Sequence, residues 1–433
     1  MTSTLARRRF IALSALRQLP TGLVLPVLAL LPVARDLSPA QIGVLFGAYS
    51  ATTVLLELPT GGFADVVGAR PVLLTAAAFA IAATMIVATS RTFCAMLVGY
   101  IIYGLSRALD SGALQSWYVN HERVAKPHAP VRLGLSRASA SASIAVALGA
   151  LATAAITHAG TPSSTRSTVI AVAIPPLIAA AVFGLYGALV ALWVSPVSVG
   201  PRARPRDVFR DVPRTLSSGL SLTRHQGPLR RLLLYTVTLG AALAGIELLT
   251  PLRLSETSTS SNSAATLFAL LAGAGFLVAG VGAWASPLAA RRFRSVPIAL
   301  VVTTITAAIA LGSVGLSGTV IAGAMYLVFY AALGVGEPLL DELTHDAVTA
   351  RHRTTVLSMR SMALQFAGML TSMSSGWLVE RAGTPPAFIA VGVVMASGAL
   401  TLMRPKHNGR ARTPPTGEAP PAGYASAGSS SGT

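Results

Sequence analysis

Long apolar runs in this chain are interrupted by a small set of ionisable side chains: Arg17, Glu57, Arg107, Asp110, Arg137, Glu247, Glu337, Asp341 and Arg360. A charge at the centre of a bilayer costs roughly 3 kcal/mol or more, so each needs a counter-charge, water or a task. Two chemistries suit these residue types. One is ion pairing: Arg17 with Glu57, Arg107 with Asp110 (an i,i+3 pair on one helix face) or with Glu57, and Arg360 with Glu337 or Asp341. The other is proton handling. Burial favours a neutral acid and an adjacent guanidinium favours the carboxylate, so an acid whose arginine neighbour comes and goes takes up and releases a proton. Glu57, Asp110 and Glu247 are the candidates for that role. The competing reading is that some of these side chains snorkel to the interface and serve assembly alone, and it is the favoured one for Arg137 and Asp341.

The elements that must hold these residues are apolar stretches of membrane-spanning length. They fall at about 10–32, 40–62, 71–89, 92–115, 133–157 and 168–194, then 230–252, 264–286, 296–315, 318–341, 356–378 and 385–403. The chain has 433 residues, of which 53% are hydrophobic and only 11% charged, where a soluble protein would carry about a quarter charged. Arg7-Arg8-Arg9 followed by an apolar run to about Leu31 reads as an uncleaved first helix, since the run is too long for a signal-peptide core. The net charge of +18 sits in joints between spans, with no nucleic-acid-binding motif beside it, so it is a topology signal.

Arginines alternate from joint to joint. Arg7–Arg9, Arg70, Arg123/Lys126/Arg132, the 202–231 stretch, Arg291/Arg292/Arg294, Arg351/Arg353 and Arg404/Lys406/Arg410/Arg412 mark one side; Arg35, Arg91, Arg166, Arg253 and Arg381 stand thinly on the other. The positive-inside rule makes the rich side, with both termini, cytoplasmic in a multi-pass plasma membrane protein. At about 1.5 Å of rise per residue, Arg17 lies roughly 10–15 Å inside the first span. All the buried charges but Glu247 share that cytoplasmic third. They are expected to form a gate that closes the cytoplasmic side while a cavity faces outward.

The second and third spans are joined by Gly61-Gly62-Phe63-Ala64-Asp65-Val66-Val67-Gly68-Ala69-Arg70, and the eighth and ninth by an echo with Gly282, Ser286, Ala289, Arg291 and Arg292. Small residues allow close helix approach, and Asp65 can pair with Arg70 across a tight turn. Leu135-Ser136-Arg137 is echoed by Leu357-Ser358-Met359-Arg360. The loop resembles the signature of the major facilitator superfamily, with Gly61, Asp65, Gly68 and Arg70 at its positions; Ala69 and Val66 depart from the pattern. Glu57-Leu58-Pro59-Thr60-Gly61 and Asp110-Ser111-Gly112-Ala113 are similar to a bacterial subgroup of drug and metabolite permeases. Arg107 resembles the fourth-span arginine of proton-coupled members, whereas the Gly-Pro antiporter signature of the fifth span is absent.

The resemblance implies an all-α membrane protein of twelve transmembrane helices in two pseudo-symmetric six-helix bundles. The expected organisation is 1–194 for the first bundle, 195–229 for a cytoplasmic linker, 230–404 for the second bundle and 405–433 for a disordered tail rich in Pro, Gly, Ala and Ser. Within the linker, Val208, Val212, Leu216 and Leu220 suit a basic membrane-surface helix or a plain solvated linker. Tyr100, Tyr103, Tyr235, Tyr326, Tyr330, Gln365 and Phe366 fall near mid-membrane, where they line a cavity for a weakly polar or amphipathic organic molecule or else pack helix on helix.

These features point to secondary-active, proton-coupled export of small organic compounds by a monomer. The alternatives are proton-coupled uptake of a metabolite, and a non-transporting membrane sensor on the same fold. With no Walker-type loop and no His/Asp/Glu cluster, the sequence argues against an enzyme and calls for no metal or cofactor. Cys94 is the lone cysteine, so no intramolecular disulfide can form.

Overall fold

A computed structural model describes residues 3–125, 131–159, 165–195, 226–258, 261–347 and 353–403. The 208–222 stretch and the tail from 404 lie outside the described residues. Thirteen helices are present among them and no strand. They are α1 (Ser3–Val33), α2 (Pro39–Val67), α3 (Ala69–Thr89), α4 (Phe93–Asp110), α5 (Ala113–Ala125), α6 (Arg132–Ala159), α7 (Thr165–Trp193), α8 (Gly227–Thr257), α9 (Ser261–Phe293), α10 (Val296–Leu316), α11 (Thr319–Asp346), α12 (Arg353–Ala382) and α13 (Thr384–Leu402). Eleven candidate spans among the described residues are long and apolar enough to cross a membrane.

The remaining expected span is α12, long enough at 30 residues but more polar. Its position explains that: α12 packs between α2 and α8 and lines the central cavity with Gln365 and Ser372. The face turned to the cavity can carry hydroxyls and amides, while Phe366, Leu370, Met373 and Trp377 keep the outward face apolar.

Helix pairing repeats between the halves. In the first, α1 packs on α6 and α7, α2 on α4, and α3 on α4 and α7; in the second, α8 packs on α12 and α13, α9 on α11, and α10 on α11 and α13. The halves meet chiefly through α2 against α12 and α6 against α9.

Two expectations about local structure change. The fourth span does not run on to 115: α4 stops at Asp110, Gly112 takes φ +76°, and α5 restarts at Ala113. That φ disfavours any residue with a Cβ, so Ser111-Gly112 is a built-in break. Most of the two signature loops is helix rather than loop. α2 continues to Val67 and the turn is made at Gly68, with φ 98°; Gly61 and Asp65 fall in its last turns, and their side chains lie outside the described residues. In the second copy, Gly282 to Arg292 all lie within α9, and the turn falls at Arg294, φ 52°.

The apolar cores show which end is shut. One continuous core joins the halves where α1 ends and α2 begins, through Leu30, Leu31, Ile42 and Leu45 on one side and Ile246, Leu249 and Leu252 on the other. At the opposite, arginine-rich end the halves keep separate cores, one around Phe10, Trp117 and Tyr118, the other around Leu229 and Val356. Among the described residues, burial of apolar surface between the halves therefore stabilises closure at the arginine-poor end.

Candidate functional site

The closed end caps a central cavity of about 290 Å³ between the halves. α1 contributes Arg17, Gln18 and Thr21, α2 Phe46, Tyr49 and Ser50, and α4 Tyr103, Arg107 and Asp110. From the other half come Glu247 of α8, Phe276 of α9, and Gln365 and Ser372 of α12. A second cavity of about 390 Å³ continues along α1 between α5 and α6, sharing Arg17, Gln18 and Asp110 with the first and reaching Phe10 and Leu135. The polar floor of the central cavity is thus approached from the arginine-rich end.

Arg17 pairs with Asp110 rather than with Glu57. Its guanidinium donates to the Asp110 carboxylate and, at 3.3 Å, to the Asp110 backbone carbonyl. The break after Asp110 makes this arrangement sensible. Carbonyls in the last turn of α4 lack intrahelical donors, and a carboxylate at that negative helix end needs a cation. The neighbouring Ala108 carbonyl accepts from Thr60 Oγ1 at 2.8 Å.

Glu57 lies outside the cavity lining and is held between elements. It accepts from Ser361 Oγ of α12 at 2.6 Å and from Ser111 Oγ at 3.4 Å. Arg107 enters no ion pair among the described residues and meets Tyr49, which lies within electrostatic reach of Glu247 as well. Glu247 has neither a hydrogen-bond donor nor a cation as partner among the described residues. Arg360 pairs with Asp341, with Glu337 within electrostatic reach. Arg137 is exposed on α6.

Among the described residues, the Arg17–Asp110 and Arg360–Asp341 pairs each join helices of the same half, and the cavity faces the arginine-rich end. In this conformation they therefore do not clasp the halves together with the cavity facing the other way, as the sequence had led us to expect. Among the described residues, a hydrogen bond from Ser361 to Glu57 does join the halves at that depth.

The candidate cavity residues divide three ways. Tyr103 and Gln365 line the cavity. Tyr100, Tyr235, Tyr326 and Tyr330 are buried among helices: Tyr100 donates to the Leu28 carbonyl, Tyr235 is 2.9 Å from Thr304 Oγ1, and the rings of Tyr326 and Tyr330 sit 4.8 Å apart. Tyr235 and Glu337 also border a small internal void. Phe366 points outward, 47% exposed. Sequence reading missed Gln18, whose Oε1 accepts from Thr21 Oγ1 at 3.1 Å, together with Tyr49 and Phe276. A glutamine next to Arg17 in an otherwise apolar run was the available signal.

Comparison with known proteins agrees with this architecture. The family model for the Major Facilitator Superfamily matches residues 10–341. The nucleoside transporter NupG superimposes with a TM-score of 0.74 at 14% identity, over 92% of this chain and 98% of that one. A D-xylose-proton symporter gives 0.67 at 14% identity, over 92% and 97%. The human organic anion transporter MFSD10 gives 0.62 at 17% identity, over 93% and 100%. At such identities the likeness is one of fold. The MFS-type transporter YxaM of Bacillus subtilis is 28% identical over 108 residues, which span 25% of this chain and 27% of that relative. A multi-pass helical bundle with a central cavity between its halves, matched by the family model over most of its length, places the chain plainly: it belongs to the Major Facilitator Superfamily, a family of membrane-embedded secondary transporters rather than enzymes.

Proposed function

We propose that the protein exports small amphipathic organic molecules across the plasma membrane by alternating access, coupled to protons. The observation that carries this reading is the central cavity, closed at the arginine-poor end and walled by Phe46, Tyr49, Tyr103 and Phe276 around a few polar groups. If the arginine-rich end is cytoplasmic, as the positive-inside rule predicts, this conformation is the one in which an exporter loads. Aromatic walls suit a partly apolar solute. Glu247 and the Arg17–Asp110 pair supply acids inside the membrane that a proton gradient can act on. The functional unit on this reading is one chain in the bilayer, with the two halves rocking about the cavity.

Uptake of a polar metabolite is the second reading, favoured by one feature: Gln18, Ser50, Gln365 and Ser372 bring amides and hydroxyls into the same cavity. Accumulation of a compound panel in cells with and without the protein, each with and without an uncoupler, separates the two. Export lowers accumulation of its substrates, and uncoupling abolishes the difference. Uptake raises it. No change for any compound would sink both readings in favour of a non-transporting sensor.

A further inference from the structure

The charges in and around the central cavity are not all balanced by the protein. Arg17 pairs directly with Asp110, and Arg107 lies within electrostatic reach of the same carboxylate, so two cations on this wall face one anion. Glu57 stands outside the cavity lining, hydrogen-bonded through one oxygen to Ser361 and Ser111. That leaves Arg107 on the wall formed by the first half and Glu247 on the wall formed by the second, neither in an ion pair among the described residues. They are near each other without pairing, since Tyr49 lies within electrostatic reach of both Arg107 and Glu247. The cavity is therefore bipolar: one cation on one half, one anion on the other, with aromatic rings around them.

We propose that this cavity selects zwitterions, molecules that carry an ammonium-type cation and an acidic group on an aromatic or apolar body. The proposal rests on the transporter reading above and names its substrate class. Water fills the open cavity and solvates both lone charges. When the halves close over the cavity, each charge that remains unpaired is buried at considerable cost. A singly charged solute compensates one of them and leaves the other stranded. A zwitterion compensates both, with its acid on Arg107 and its cation on Glu247, and its body covers Tyr49, Tyr103 and Phe276. Selectivity then arises from closure as well as from binding, because only a solute carrying both charges lets the halves come together without an orphaned charge. The placement of the two charges on opposite halves makes the solute itself the bridge between them.

The test uses the purified full-length chain in lipid nanodiscs and two matched triads on constant bodies. Phenylalanine is compared with phenethylamine and 3-phenylpropionate, and tryptophan with tryptamine and indole-3-propionate. Each zwitterion should bind about tenfold tighter or better than either singly charged analogue, the effect of one charged hydrogen bond. Glu247→Gln should erase the advantage over the acid, and Arg107→Gln the advantage over the amine. Glu247→Asp and Arg107→Lys should keep the ranking, and thermal unfolding checks that every variant is folded. The proposal is overturned if the amines or the acids equal the zwitterions, or if no member of either triad binds. Because binding is read without a gradient, zwitterion binding without transport would sink the transport reading alone. Gradient-driven export of singly charged compounds only would sink the zwitterion proposal alone.

Discussion

Arg17 on α1 holds both the carboxylate and the backbone carbonyl of Asp110, so one guanidinium neutralises the acid and caps the broken end of α4. The pair is only partly exposed, at 22% and 15% of the side chains. Removing either partner leaves a charge with little solvation. Asp110→Asn and Arg17→Gln should each destabilise the solubilised protein by roughly 2–3 kcal/mol. The double variant should lose clearly less than the sum, because no stranded charge remains. Thermal unfolding of the four proteins checks this, and strict additivity would show that the pair does not act as a unit.

The closed end depends on backbone contact between α2 and α12. A Cβ placed on Gly376 would lie 2.4 Å from the Pro39 carbonyl oxygen, and one on Gly43 would lie 2.4 Å from that of Ser372. Backbone cannot yield as a flexible side chain does, so Gly376→Ala should pry the halves apart there. Ile42 is fully buried at this seam, and Cys94 is exposed. With Cys94→Ser as background, labelling of Ile42→Cys by an impermeant maleimide should quicken roughly tenfold in the Gly376→Ala variant. An unchanged rate would mean that the seam tolerates the methyl group.

Glu380 secures the same end from the other side. Its Oε2 accepts from Ser38 Oγ at 3.1 Å and from the Ala40 backbone N–H at 3.2 Å, so a residue near the end of α12 caps the start of α2. A cap of this kind is worth about 1 kcal/mol. Glu380→Ala should move the closed-to-open equilibrium at this end by roughly fivefold. Glu380→Gln, which keeps an acceptor, should fall between the two. Spin-label distances between Gln41 and Arg381 positions in nanodiscs report the shift, and matching distributions in all three proteins would refute the role.

Much of this architecture was legible from apolar run length and alternating arginines, because membrane insertion reads those two quantities directly. Depth was also legible, since rise per residue is nearly constant. Azimuth was not. Gln365 faces the cavity while Phe366, its neighbour and a fraction of a turn away, faces outward. A helix that lies between others on two sides shows no clean apolar stripe from which to read that rotation. Partner choice was hidden for a related reason. Glu57 and Asp110 were assigned similar depths, and only the break at Ser111-Gly112 brings the Asp110 carboxylate and carbonyl together onto Arg17. The glycine was visible in the sequence, but one turn signal inside an apolar run is weak against the length of the run.

The last prediction concerns Tyr100, whose place in the core follows from a proline. Pro32 has no backbone N–H, so the Leu28 carbonyl four residues earlier lacks its helical donor. The Tyr100 hydroxyl donates to that carbonyl from α4, and Tyr100 is 1% exposed. Tyr100→Phe should therefore cost about 1–3 kcal/mol, the penalty for an unsatisfied buried acceptor. Pro32→Ala restores an N–H at the right position, so the helix itself can satisfy Leu28. In that background the cost of Tyr100→Phe should fall below about 1 kcal/mol. The interaction energy from this double-mutant cycle, measured by thermal or denaturant unfolding of the solubilised protein, is the decisive quantity. An equal cost in both backgrounds would mean that Tyr100 acts through ring packing and that its hydroxyl does not serve the carbonyl left open by Pro32.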